Sequence, residues 1–399
     1  MADLDTHVKG YIEQAHRLMD EKFPEFIKDL NFLVSRDRGS HFKKGLDESI
    51  DWMVRQLEPL HCQVQLFDDR VHGKHLVASL NGKGKGRWVI FGHMDTVWEE
   101  GVTNDWAFKI NGNIATGPGV VDNTGGTLAG LYTLKIIKEC GFDNFEEIIF
   151  INNSDEELDS PSSKSLFINF AKGADYAICL ESSSFADEII GERAGAANFY
   201  IKIFGKGAHT GVSPEEGIDA GLELAEKILE MKKITGEDDV LFMSVVNMRA
   251  GSEVNSVCDY AEARVFVRVK TWGEFEMVKD QYQKIVDTSY VKGSHATLTF
   301  EMIHGPMERL PGSELLSSTV IDVASSIGLK LKDVWCGGCA DSSFTSEVGV
   351  PTICGIGPFG QNYHTREEML DISSIVPRVT TVVGTIITLS SLLNKQSIN

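Results

Sequence analysis

Basic residues are in short supply in this chain. Lys and Arg number 38 against 58 Asp and Glu over 399 residues, for a formal charge of −20. This balance excludes nucleic acid as an expected partner, because phosphate binding needs a basic surface. Cysteine is also scarce. The seven cysteines, an odd number scattered through apolar stretches, suit reduced thiols in a reducing compartment rather than a disulfide framework. No unbroken apolar run reaches the ~18 residues of a membrane span, so no membrane partner is expected. The start, Met1-Ala2-Asp3-Leu4-Asp5, lacks the basic and apolar segments of a signal peptide, and a cytoplasmic location is expected. Repeats and low-complexity segments are missing too. What remains is 42% apolar and 24% charged, the composition of a globular protein of about two domains.

From about residue 5 to 58, Ile12, Leu18, Phe23, Phe26, Ile27, Leu30 and Phe32 recur at three-and-four spacing, which predicts helix, interrupted at 35–40. Short strand-like runs follow at 62–67, 75–80 and 88–91, and the last leads directly into His93. A turn at Gly117-Pro118-Gly119 precedes Asp122 and a helix predicted from about 126 to 140. Further apolar strands at 148–152 and 176–180 deliver Glu156-Glu157 and Glu181. Ligand groups in open α/β sheets collect just past such strand ends. Beyond Gly195 the rhythm becomes strand 197–204, helix 216–233, strands 241–249 and 258–269, helix 273–289 and strand 295–303. This βαββαβ order predicts a ferredoxin-like inserted domain. Helix–strand alternation then resumes, with His364 and a long closing helix from about 374.

His93, Asp122, the Glu156-Glu157 pair, Glu181 and His364 are spread over about 270 residues. They are the nitrogen and oxygen donors that zinc-like cations take, and a carboxylate shared by two His-plus-Glu sets could bridge two ions about 3.5 Å apart. Asp95, two residues after His93, would orient that imidazole through its other nitrogen. Of the glutamate pair, one could bind metal while the other moves protons. Each residue also has a plainer reading. His93 could be a strand-end histidine paired with a local carboxylate, Asp122 a helix cap, Glu156-Glu157 a solvated acidic loop, and His209 a surface loop residue. The glycine-rich stretch 355–360 before His364 would let backbone approach a ligand closely. Cys336-Gly337-Gly338-Cys339 has the form of a thiol oxidoreductase motif, which makes a thiol-disulfide redox protein a rival of a different class. A metal-poor binding protein is the other.

The stretches GHMDTVW (92–98), GPGVVDNTGG (117–126), NNSDEELDS (152–160), LES (180–182), GKGAHTGVSPEEG (205–217), GSEVNSV (251–257) and GPFGQNYHT (357–365) together resemble one family. It is the dinuclear zinc carboxypeptidase and aminoacylase group, including acetylornithine deacetylase, succinyl-diaminopimelate desuccinylase and, nearest, carboxypeptidase G. The resemblance implies an α/β fold: a three-layer αβα zinc-peptidase domain at 1–194 and 306–399, with an inserted ferredoxin-like α+β dimerisation (lid) domain at 195–305. It implies two Zn2+ per chain, with Co2+ or Mn2+ fitting the same donors. The metal ligands would be His93, Asp122 as bridge, Glu157, Glu181 and His364, with Glu156 as general acid/base. His209 would stabilise the oxyanion, and Asn255, Arg268 and Gly337 would contact substrate. A homodimer is implied as well. Glu rather than Asp at 181 goes with the carboxypeptidase and deacylase branch. The implied substrate is a peptide losing a C-terminal amino acid such as glutamate, or an N-acyl amino acid. Three departures stand out: Asn123-Thr124 stand where many relatives have a hydrophobic or acidic residue and Lys, Asp159 occupies a usual glycine position, and 303–307 lacks the further arginine of carboxypeptidase G, leaving Arg309 and His304 nearest.

Overall fold

The computed structural model describes residues 5–234, 241–251 and 253–396. Two compact units emerge. The first comprises Met1–Glu192, Arg309–Trp335 and Ala340–Asn399, and the second Arg193–Glu308 with Cys336–Cys339. The divisions thus fall at 192/193 and 308/309, beside the expected 194/195 and 305/306, and a four-residue loop joins the second unit.

The first unit is built on a six-stranded sheet in the order Gln63–Phe67, His75–Asn81, Glu147–Asn153, Arg87–His93, Tyr176–Cys179, Thr352–Ile353. The last four are mutually parallel, while the first two run antiparallel to their neighbours. Both faces are buried, as the unbroken apolar runs imply. Trp88 and Ile90 join the core packed with helices Thr6–Val34, Gly126–Glu139 and Ile375–Gln396. Phe91, one residue out of phase, stacks edge-on against Phe167 of helix Lys164–Ala171 on the other face. Successive strand residues serving opposite helix layers make the three-layer arrangement. The first helix starts where Asp5 accepts the His7 N–H, an N-cap, and ends before the interruption expected at 35–40. By length and composition the segment Ile372–Lys395 could cross a membrane, with mean hydropathy 1.5, yet 72% of it is buried inside the protein. Its Thr and Ser residues and Arg378 break the apolar run, which is why no unbroken run flags it.

In the second unit the strands Gly195–Phe204, Phe242–Ala250, Tyr260–Val269 and His295–His304 and the helices Ala220–Ile234 and Trp272–Asp287 follow βαββαβ order. The antiparallel sheet places the second strand at one edge, then the third, first and fourth. That is the ferredoxin-like topology. Phe199, Ile201, Val265, Val267, Phe275 and Tyr282 form its core. One helix start differs from expectation. The helix expected from 216 begins instead at Ala220, after a single 3-10 turn at Pro214–Glu216 and extended Gly217.

Candidate metal centre

Three parallel strands set the site. Arg87–His93 ends on His93, Glu147–Asn153 leads to a 3-10 turn carrying Glu156 and Glu157, and Tyr176–Cys179 leads to Glu181. Their ends converge because neighbouring strands are held in register, with His93 opposite Asn153 and Phe91 opposite Cys179. Asp122 comes from the irregular segment Val120–Gly125, and His364 from a loop where it adopts a left-handed φ of 59°.

The five expected ligands form two histidine–carboxylate pairs around one shared carboxylate. His93 Nε2 lies 3.1 Å from Asp122 Oδ1 and 3.1 Å from Glu181 Oε1. His364 Nε2 lies 3.1 Å from Asp122 Oδ2 and 3.2 Å from Glu157 Oε2. Glu156 stands further back, its Oε2 3.9 Å from His93 Nε2. Asp122 therefore is no helix cap: helix Gly126–Glu139 follows Gly125 with no side-chain cap bond. Nor is the glutamate pair a solvated acidic loop on extended backbone. It sits on a tight turn, with the Glu157 side chain only 6% exposed. Flanking Asp155 is fully buried and accepts from the backbone N–H and hydroxyls of Ser162 and Ser163.

Asp95 holds three of these groups at once. It faces His93 Nδ1 at 3.3 Å, and its two oxygens accept the backbone N–H groups of Glu156 (3.2 Å) and Glu157 (3.1 Å). Orienting the ring through Nδ1 leaves Nε2 aimed at the carboxylates, the arrangement a histidine ligand needs. Gly119 matters for a different reason. At φ 66° a side chain would be strained, and a Cβ there would lie 2.3 Å from Thr96 Cγ2. The glycine-rich stretch before His364 also has another use than expected. A Cβ on Gly357 would lie 2.1 Å from the Leu180 carbonyl oxygen, so the close approach is to the strand end carrying Glu181 rather than to a ligand. Asp159, at a usual glycine position, takes φ 66°, a left-handed conformation Asp tolerates better than most residues.

Charge explains why this cluster calls for cations. Burial pushes Glu157 up to about 7, and burial together with the charges of Asp341, Glu181 and Glu157 lifts Glu156 well above its ordinary value against the pull of His93. Burial would raise Asp122 too, but hydrogen bonds from His364 and His93 hold it well below the usual carboxylate range. Hydrogen bonds to Asp122 and Glu157 take His364 up to about 10. Glu157 Oε1 is buried with no hydrogen-bond partner. Closely grouped, desolvated carboxylates with neutralisable imidazoles and an orphaned oxygen fit divalent metal ions. His93, Asp122 and Glu157 also present donor atoms within 4.8 Å of one another.

A pH dependence follows. At neutral pH the metal-free site holds protons on His93 and His364 and in part on Glu157, and a cation must displace them. Metal binding is expected to release about two to three protons at pH 7 and to tighten as pH rises. Titration calorimetry in buffers of different ionisation enthalpy counts those protons, and a proton count of zero contradicts the site. In the metal-free protein the raised His364 contributes stability that is fully present below about 6.5 and is lost as pH rises through about 10.

Two buried residues that sequence patterns did not single out complete the frame. Glu368 accepts the backbone N–H groups of Gly119 (2.9 Å), Val121 (2.9 Å) and Asp122 (3.1 Å), which fixes the segment presenting Asp122. Burial lifts it to about 7. Arg38, 1% exposed, donates to the carbonyls of Leu33 and Met94 and to the Thr124 hydroxyl, tying the loop after His93 to the one after Asp122. Beside Glu157 a cavity of about 480 Å³ is lined by Trp98, Val97, Phe42 and His41 among others.

The remaining expected residues lie in the second unit. His209 is exposed, and its Nδ1 accepts the Gly211 N–H at 3.1 Å. Asn255 is exposed, and its carbonyl takes the Thr210 N–H. Arg268 is half-buried and donates to the Gly337 carbonyl.

Residues 89–388 match the model of peptidase family M20/M25/M40. The chain belongs to this family and is a metallo-hydrolase. It is 28% identical to carboxypeptidase G2 of Pseudomonas sp. (strain RS-16) over 370 residues, covering 89% of this chain and 87% of that one. The aminopeptidase PepT of Bacillus cereus shares the fold, with a TM-score of 0.75 at 22% identity, over 92% of this chain and 98% of the other. So does the Bacillus subtilis YXEP protein, described as a dinuclear metal binding peptidase from the M20 family, with a TM-score of 0.69 at 15% identity, over 93% and 99%.

Proposed function

We propose that the protein is a dizinc hydrolase that cleaves an amide next to a free carboxylate, releasing a C-terminal amino acid such as glutamate. The observation carrying this reading is Asp122, whose two oxygens each meet a different histidine at 3.1 Å. His93 and Glu181 would hold one ion, His364 and Glu157 the other, and Asp122 both. Bound there, the ions would polarise the substrate carbonyl and make a shared water acidic enough to deprotonate near neutral pH.

The protein's own groups do the rest. Asp95 keeps His93 oriented. Glu156, raised in pKa and adjacent to the ligands, takes the proton of the attacking water and returns it to the leaving nitrogen. Because His209 Nδ1 accepts a backbone N–H, its neutral form carries the proton on Nε2, a donor suited to the developing oxyanion. The planar guanidinium of Arg268, which donates to the Gly337 carbonyl, suits the terminal carboxylate, and Asn255 is the other residue assigned to it. The cavity beside Glu157 provides room for the acyl portion. Exposed Phe242, Val245, Val246 and Met248 on the edge strand Phe242–Ala250 support a homodimer, since an unpaired apolar edge invites pairing with a second copy. The acidic surface and reduced thiols support a cytoplasmic location.

A second reading is N-acyl-amino-acid deacylation, and the surroundings of Arg309 and His304 weigh against a preference for glutamate. Arg309 is engaged with Glu192 (3.1 Å) and Asp333 (2.9 Å), and His304 is 3% exposed, so neither stands ready for a side-chain carboxylate. A panel of dipeptides, N-acyl glutamates and neutral N-acyl amino acids, assayed with zinc-loaded protein, separates the two. Hydrolysis confined to C-terminal glutamate supports the carboxypeptidase; release from neutral N-acyl amino acids favours the deacylase. No release from any panel member, or no metal uptake, refutes both.

A further inference from the structure

The Cys336 and Cys339 thiols have no part in hydrolysis as derived above, yet the surroundings of the Cys336-Gly337-Gly338-Cys339 loop are organised around both sulfurs. The two cysteines meet at one residue: Ala194 N–H donates to the Cys336 carbonyl at 2.9 Å, and the Cys339 thiol donates to the Ala194 carbonyl at 3.3 Å. Each sulfur also faces a guanidinium. Arg193 Nη1 lies 3.8 Å from Cys336 Sγ and 3.0 Å from the Gly338 carbonyl oxygen. Arg268 Nη1 lies 3.5 Å from Cys339 Sγ while it donates to the Gly337 carbonyl. Gly338 N–H points at Cys336 Sγ at 3.4 Å. Both thiols are half-buried rather than sealed in the core. Burial pushes the Cys62 and Cys140 thiols up to about 11, which leaves those two inert at neutral pH.

We propose that Cys336 and Cys339 form a reversible disulfide, and that closing it loosens the grip of Arg268 on the substrate carboxylate. The oxidant is a small-molecule disulfide. One cysteine sulfur attacks it, forming a mixed disulfide and expelling one small thiol. The other cysteine sulfur attacks the protein-bound sulfur of that mixed disulfide, closes the Cys336–Cys339 bond and expels the second small thiol. The two cysteine protons end on the two expelled thiols, and two electrons pass to the reagent. Positive charge beside each sulfur favours negative charge on sulfur during exchange. Closing the bond draws the sulfurs to about 2 Å. The ring closed by the bond constrains the Gly337-Gly338 backbone, and with it the Gly337 carbonyl to which Arg268 donates. The coupling, though not the disulfide itself, rests on the carboxylate-binding role given to Arg268.

The full-length zinc-loaded protein, incubated with oxidised glutathione, tests both parts. Peptide mass mapping is expected to show loss of two hydrogens from the peptide holding both cysteines, restored by dithiothreitol. KM for a C-terminal carboxylate substrate is expected to rise about tenfold with kcat little changed, the scale of losing a charge-assisted hydrogen bond. Cys336→Ser plus Cys339→Ser is expected to keep the reduced KM and ignore the oxidant; if the pair misfolds, Cys339→Ser alone is expected to keep the reduced KM before oxidation and to stop at a mixed disulfide, with no loss of two hydrogens. An unmodified peptide overturns the disulfide. A disulfide formed without a change in KM overturns the coupling. Absence of hydrolysis in the reduced protein removes the functional reading and the coupling with it, while the peptide mass still decides the disulfide.

Discussion

Glu156→Gln is expected to retain about two metal ions per chain and to lose about a thousandfold in kcat, within the range general acid–base catalysis contributes. The geometry separates this residue from its neighbour. Glu157 touches His364 at 3.2 Å inside the ligand cluster, whereas Glu156 stays 3.9 Å from the nearest ligand imidazole. Its backbone is fixed by the Asp95 carboxylate, so the change removes a proton acceptor without dismantling the turn. Burial and neighbouring acids raise Glu156 above its ordinary pKa, which favours its taking up a proton and returning it. Elemental analysis and steady-state kinetics on the same preparation check the outcome. Undiminished kcat would show that another group moves the proton, and loss of metal would make Glu156 a ligand.

Asp122→Ala is expected to do more, and by another route. Among the described residues it alone contacts both histidines, so its loss weakens both halves of the centre together. Metal content is expected to fall from about two ions to less than one per chain after dialysis against limiting zinc, with activity lost alongside. Chelation should then distinguish the proteins. Wild type, at metal a thousandfold above its dissociation constant, loses about 4 kcal/mol of linked stability when the metal is withdrawn, and the variant loses almost none. Thermal unfolding with and without a chelator measures this. A variant that still binds two ions would show that the centre does not depend on a shared carboxylate.

Much of this site is legible along the chain because its ligands follow strands that announce themselves. An apolar run such as Trp88-Val89-Ile90-Phe91 is buried on both faces, and a polar residue at its end must lie at the sheet's edge, where His93 and Glu181 are found. The βαββαβ order of the second unit is readable from the same periodicities. The chain could not say whether Asp122 caps a helix or joins two histidines, nor that Glu156 and Glu157 stand on a turn rather than an extended loop. In both cases the deciding partners are remote. Asp122 meets His364 from 242 residues away, and Asp95 holds the glutamate turn across 61.

Chain order and residue chemistry by themselves therefore determined the alternation of strands and helices, the inserted unit and the kind of ligand a metal would find. The tertiary structure alone decided which acids share a histidine, and that Glu368 rather than adjacent Glu367 is buried to hold the Asp122 segment. The physical reason is that apolar periodicity is a local property, repeated every two or three to four residues. Satisfaction of a buried carboxylate depends instead on whichever N–H groups the fold brings to it, and nothing next to Glu368 in sequence names those of Gly119, Val121 and Asp122.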